Sequence, residues 1–163
     1  MGSRFWLELP FDRQATAQEV AAAAGEVPTE KPLRVLIVED DTLNAAMLRA
    51  VLEQLGHRVL HAQDGGRAID LLRVSEFDIV MLDGRMPGMD GPETARTLRA
   101  LESPASRLPV VAVIGGDADE AQGMLDAGCD TVLRKPVTVA SVARAVADAT
   151  TARGQEPDQR AVA

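Results

Sequence analysis

Charged residues fall where three apolar runs end. Val38 is followed by Glu39, Asp40 and Asp41; Leu82 by Asp83; Arg134 by Lys135 and Pro136. Carboxylates brought to one place repel. Two unit charges about 4 Å apart interact by about 4 kcal/mol at an effective dielectric of about 20. Raised pKa values or bound cations must compensate. An all-oxygen cluster suits Mg²⁺, which takes one or two carboxylates, waters and phosphate oxygens. An aspartate can attack phosphorus to give an aspartyl phosphate. A metal and a lysine can neutralise the oxygens being transferred. The set therefore points to phosphoryl transfer.

That reading needs the three run ends to meet. From residue 33 to 150 a short apolar run alternates five times with an amphipathic stretch. The strands predicted are Leu33–Val38, His57–Ala62, Phe77–Leu82, Pro109–Ile114 and Thr131–Arg134. The helices predicted begin at Thr42 as cap and stop at Gly56, then cover 65–74, Pro92–Leu101, 117–127 and Val137–Thr150. Strict βα alternation with short connections calls for a parallel sheet covered by helices on both faces. Ligands in such sheets bind beyond the carboxyl ends of the strands. Glu39, Asp40, Asp83 and Lys135 all belong to that edge. One acid after a strand is ordinarily a helix cap or a solvated loop residue. Four charged groups at three strand ends of one edge are not explained that way.

The motifs Val-Leu-Ile-Val-Glu39-Asp40-Asp41, Met-Leu-Asp83-Gly-Arg-Met-Pro87-Gly-Met-Asp90-Gly91 and Lys135-Pro136 resemble the response-regulator receiver family. The likeness covers about residues 33–150. It implies a doubly wound, flavodoxin-like five-stranded parallel sheet of order 2-1-3-4-5. It implies that Asp83 accepts the phosphoryl group and that Asp40, Asp83 and the Arg85 backbone carbonyl ligate Mg²⁺. Glu39 would act through a metal-bound water. Lys135 would pair with the phosphoryl group, and Pro136 would follow a cis peptide bond. The implied partners are the phosphohistidine domain of a histidine kinase and a histidine phosphotransfer protein.

Two positions depart from the family pattern. Ile114 stands where the family places Ser or Thr, and Val132 where it often places an aromatic. Gly115 keeps the small residue expected beside the entrance. A hydrogen bond to a charged group contributes roughly 1.5–3 kcal/mol. Inverting a two-state population from 1:99 takes about 5.5 kcal/mol. Losing the hydroxyl thus removes much of the switching energy while leaving the metal and Lys135 to hold the charge. The expectation is a phosphoryl relay with an atypical switch. The rivals are a degenerate receiver that serves as a noncatalytic docking module, and a phosphatase of the aspartyl-phosphate type.

The chain has 163 residues, of which 46% are hydrophobic, so one domain with a real core is expected. Phe5, Trp6, Phe11 and Phe77 are its four aromatics, which leaves the core to Ala, Val, Leu, Ile and Met. A net charge of −8 argues against nonspecific binding to nucleic acid or an anionic membrane. Cys129 is the single cysteine, so a cytoplasmic, disulfide-free protein is expected. Residues 1–11 resemble the last strand of a histidine-kinase ATPase domain, where Gly-Ser-x-Phe-x-x-x-Leu-Pro is a common ending. The alternative is an added leader. With 12–32 as linker and 151–163 as a polar tail, the order matches the carboxyl-terminal part of a hybrid histidine kinase. His57 and His61 read as strand-edge residues, and Asp41 as a cap or solvated acid. Arg144 and Arg153 read as solvated, and Arg85 as a loop residue able to affect water access.

Overall fold

The structure, a computed structural model, describes residues 31–154. Residues 1–30 and 155–163, and with them the expected kinase-like strand, lie outside the described residues. Five strands alternate with five helices: β1 Arg34–Val38, α1 Thr42–Gln54, β2 Arg58–Ala62, α2 Gly65–Val74, β3 Ile79–Asp83, α3 Gly91–Arg99, β4 Val110–Ile114, α4 Ala118–Asp126, β5 Thr131–Arg134 and α5 Val139–Gly154. A 3₁₀ turn, Pro104–Arg107, precedes β4. The sheet is parallel with order β2-β1-β3-β4-β5. The order reverses between β1 and β3, so a crevice opens at their carboxyl ends.

The three central strands are apolar almost throughout because both of their faces are covered. On one face Val35, Ile37, Met81 and Val113 pack with Leu48 and Leu52 of α1 and Val142 and Val146 of α5. On the other, Leu36, Val80, Leu82 and Ile114 pack with residues of α2, α3 and α4, such as Ile69, Leu98 and Met124. Among the described residues Phe77 is the one aromatic of this core, so small branched side chains fill the space between layers as composition required.

Local chemistry sets the helix ends. The cap of α1 is Asp41, not Thr42: its carboxylate accepts from the Asn44 N–H at 2.8 Å. Thr42 is already the first helical residue. Asp64, Asp90 and Asp117 cap α2, α3 and α4 in the same way. Gly56 (φ 88°) and Gly128 (φ 108°) follow the last turns of α1 and α4. Around Gly128, the Cys129 N–H reaches the Met124 carbonyl and the Gly128 N–H the Leu125 carbonyl. This left-handed closure turns the thiol of Cys129 inward. Burial pushes that thiol up to about 12, which makes it a packing group and not a nucleophile.

α5 runs to Gly154, past the expected end at Thr150. Arg153 is correspondingly not a solvated tail residue. Its Nε donates to Asp130 Oδ1 at 2.7 Å, while Arg99 Nη2 donates to Asp130 Oδ2 at 2.9 Å. Arg99 also donates to the carbonyls of Gly128, Ser106 and Leu108. Asp130 further accepts from the Val110 N–H at 2.8 Å. Burial, then the neighbouring Arg153, lowers the Arg99 pKa, and Asp130 opposes both. One largely buried carboxylate thus ties α3, the start of β4 and the end of α5 together. Asp130→Ala leaves two guanidinium groups facing each other and should destabilise the fold by roughly 3 kcal/mol. Urea unfolding monitored by circular dichroism checks this; a midpoint unchanged from that of the unsubstituted protein would contradict it.

Candidate functional site

At the carboxyl ends of β1, β3 and β5 the chain forms an open cleft of about 300 Å³. Glu39, Asp40, Asp83, Arg85, Gly115, Glu120 and Lys135 are among its lining residues. β3 ends on Asp83 itself, one residue later than its apolar run suggests, so the backbone of this carboxylate is fixed by the sheet. Glu39 follows β1 directly, and its N–H is held by the Ala62 carbonyl of β2 at 3.1 Å. Lys135 follows β5, with its N–H on the Ile114 carbonyl at 2.7 Å. The Lys135-Pro136 peptide bond is cis.

The Lys135 ammonium donates to Asp83 Oδ1 at 2.7 Å and to Glu39 Oε2 at 3.0 Å. Both carboxylates are buried, at 5% and 4% exposure, whereas Asp40 is open to solvent. Buried charges are tolerated only when paired and hydrogen-bonded. Lys135 supplies the pairing, and two backbone groups complete it. The Asp41 N–H reaches Glu39 Oε1 at 3.3 Å, and the Arg85 N–H reaches Asp83 Oδ2 at 3.2 Å. Burial disfavours the charged lysine, but its hydrogen bonds to Asp83 and Glu39, with their charges, outweigh that and raise its pKa. Lys135 therefore stays a cation at neutral pH.

Glu39, Asp40 and Asp83 each offer a carboxylate oxygen, and these atoms lie within 4.8 Å of one another. Three hard oxygen donors, one of them solvent-facing, fit a small divalent cation and offer it a way in. Gly115 borders the cleft with open space where a Cβ would stand. Gly91 allows the close approach behind it, since a Cβ there would lie 2.5 Å from the Asp83 carbonyl oxygen. Ile114 is fully buried in the core beside Leu82 and Met86, and Val132 packs against the same cluster.

Two contributors escaped sequence reasoning. Glu120 of α4 enters the cleft and pairs with Arg85. His61 hydrogen-bonds the Glu39 carbonyl through Nε2 at 2.7 Å, bracing the loop that carries the acids. His61 sits on the edge strand β2. His57 precedes that strand and is buried, with Nδ1 accepting from the Leu33 N–H. Burial lowers the His57 pKa. The sequence held only weak signals for these contacts: an acid in the first turn of a helix and an inward phase of β2.

Residues 35–147 match the family described as the response regulator receiver domain. The chain belongs to that family. This receiver is 32% identical over 134 residues to the sensor histidine kinase GacS of Pseudomonas protegens, a match covering 80% of the chain and 15% of GacS. It is 37% identical over 139 residues to the aerobic respiration control sensor protein ArcB of Escherichia coli, covering 85% of the chain and 18% of ArcB. The chain thus spans less than a fifth of these curated relatives. Among solved structures it is similar to the receiver domain of sensor histidine kinase PA1611 from Pseudomonas aeruginosa. That domain carries a magnesium ion coordinated in its active-site cleft. The TM-score is 0.69 at 29% identity, over 74% of this chain and 99% of that one. Among the described residues, no helix is long and apolar enough to cross a membrane.

The electrostatics of the receiver site make a direct forecast. Lys135→Met leaves Asp83 and Glu39 buried and close together without their cation. In metal-free buffer the variant should be less stable by roughly 3 kcal/mol, because two buried charges lose their partner. Urea unfolding monitored by circular dichroism reads this. A midpoint equal to that of the unsubstituted protein would contradict the balance described.

Proposed function

We propose that this receiver is the phosphoryl-accepting step of a histidine-to-aspartate relay, with Asp83 as acceptor. The observation that carries the reading is the 2.7 Å contact between Lys135 Nζ and Asp83 Oδ1 beside two further carboxylates. An Asp83 oxygen attacks the phosphorus of a phosphohistidine. The new P–O bond forms as the P–N bond breaks, and the imidazole, protonated on its other nitrogen, departs neutral. Lys135 holds positive charge against the phosphoryl oxygens throughout. Gly115 leaves the approach open.

Magnesium fits the donor set, held by Asp40, Asp83 and the Arg85 backbone carbonyl, with Glu39 acting through water. When bound it would neutralise phosphoryl oxygens that Lys135 alone cannot. The histidine donor would belong to a kinase, in keeping with the likeness to a receiver of a sensor histidine kinase. That the donor sits in the same parent chain, and that a histidine phosphotransfer protein receives the group next, extend this reading.

The switch is atypical on this view. Ile114 brings methyl groups where a hydroxyl would have moved to the phosphoryl group, and Val132 offers no ring to follow it. By the hydroxyl-and-ring route alone, the relay passes phosphate with only a modest change of shape. A noncatalytic docking module is the rival, favoured by the burial of Ile114 in the core.

Incubation with acetyl phosphate and Mg²⁺, followed by intact mass measurement, separates the two. One phosphoryl group should be gained, none by Asp83→Asn, and none when a chelator removes the metal. No gain in the unsubstituted protein would leave the docking module standing.

A further inference from the structure

The cleft holds a second cation that the relay chemistry above does not use. Arg85 and Lys135 are the two basic residues lining it. Lys135 is engaged between Glu39 and Asp83. Arg85 instead forks onto Glu120, with Nε to Oε1 at 2.8 Å and Nη2 to Oε2 at 3.2 Å. The two partners are unlike in setting. The Arg85 side chain is 75% exposed, but that of Glu120 is only 13% exposed.

Glu120 has a built seat. It is the cleft-lining residue of α4, and two glycines make room for its carboxylate. A Cβ on Gly116 would lie 1.9 Å from Glu120 Oε2, and one on Gly84 would lie 2.9 Å from Oε1. Gly84 follows Asp83 directly, and Gly116 belongs to the loop after β4. The carboxylate is therefore wedged between the acceptor loop and the loop after β4. Arg134 of β5 holds the other side of that second loop, donating to the Gly116 carbonyl at 2.8 Å.

We propose that the Arg85–Glu120 ion pair is the switch of this receiver, taking the place of the missing hydroxyl at Ile114. Phosphorylation of Asp83 replaces the single negative charge of its carboxylate with about two on the phosphoryl group, and places three acceptor oxygens beside Arg85. A guanidinium prefers such a group, which it can bind in bidentate fashion. Arg85 leaves Glu120 for the phosphoryl oxygens, and its exposed, flexible side chain makes the exchange easy. Glu120 is then a largely buried carboxylate without its partner, a costly state. It relaxes by leaving its glycine seat, and the first turn of α4 moves with it. In this way a charge exchange, not a hydroxyl, carries the state of Asp83 to α4. The Arg85 guanidinium thus contacts the phosphoryl group itself, while its backbone carbonyl is present in every side-chain variant.

The proposal rests on Asp83 being a phosphoryl acceptor, and the test keeps the two apart. Amide shifts of residues 117–121 are recorded by NMR with and without beryllofluoride and Mg²⁺ as phosphoryl mimic. The unsubstituted protein should shift in this turn. Arg85→Ala should lose most of the change, and Arg85→Lys should restore part of it. Glu120→Gln, which has no charge to strand, should lose most of the change as well. Intact mass after treatment with acetyl phosphate reports for each variant whether a phosphoryl group is still gained. A full α4 response in Arg85→Ala, with phosphorylation intact, overturns the exchange alone. Failure of the unsubstituted protein to gain a phosphoryl group overturns the acceptor reading and the exchange with it.

Discussion

Negative charge crowded at one edge of a parallel sheet is the constraint from which the rest of this receiver follows. Glu39 and Asp83 are buried side by side, and Lys135 reaches across from the far strand to both. Remove that cation and two buried carboxylates are left facing each other without a partner. Leave it, and the pair still lacks charge enough for a third carboxylate and an incoming phosphoryl group. On the proposed reading, a divalent cation and a phosphoryl group bound together balance these charges.

The sheet makes the crowding possible. Parallel strands end on one edge, so residues 39, 83 and 135, distant along the chain, become neighbours. Both faces of the three central strands are packed, which fixes the strand ends against the repulsion they carry. Stability is supplied elsewhere too. The Asp130 cluster fastens α5 and α3 with residues that do not line the cleft. The cleft is thereby spared from carrying its own structural support.

Much of this was legible in the sequence. Five apolar runs alternating with amphipathic stretches gave the layers, and the motif likeness gave the strand order. Ends were less exact: Asp83 closes β3 instead of following it, and Asp41 caps α1 in place of Thr42. Caps compete locally, and an aspartate one residue earlier wins by reaching the Asn44 N–H. The contacts of Glu120, His61 and Arg153 were hidden because each depends on tertiary approach. Glu120 looked like any acid in a helix's first turn, and only the glycines at 84 and 116 show why it turns into the cleft. Arg153 looked solvated because its helix was expected to stop short of it.

The measurement that bears most directly on the charge account is a magnesium titration followed by backbone NMR. Saturable shifts should centre on Asp40, Asp83 and Arg85, with Asp40→Asn weakening the binding while the fold stays intact. No saturable change at millimolar magnesium, or changes confined to residues away from the cleft, would contradict it.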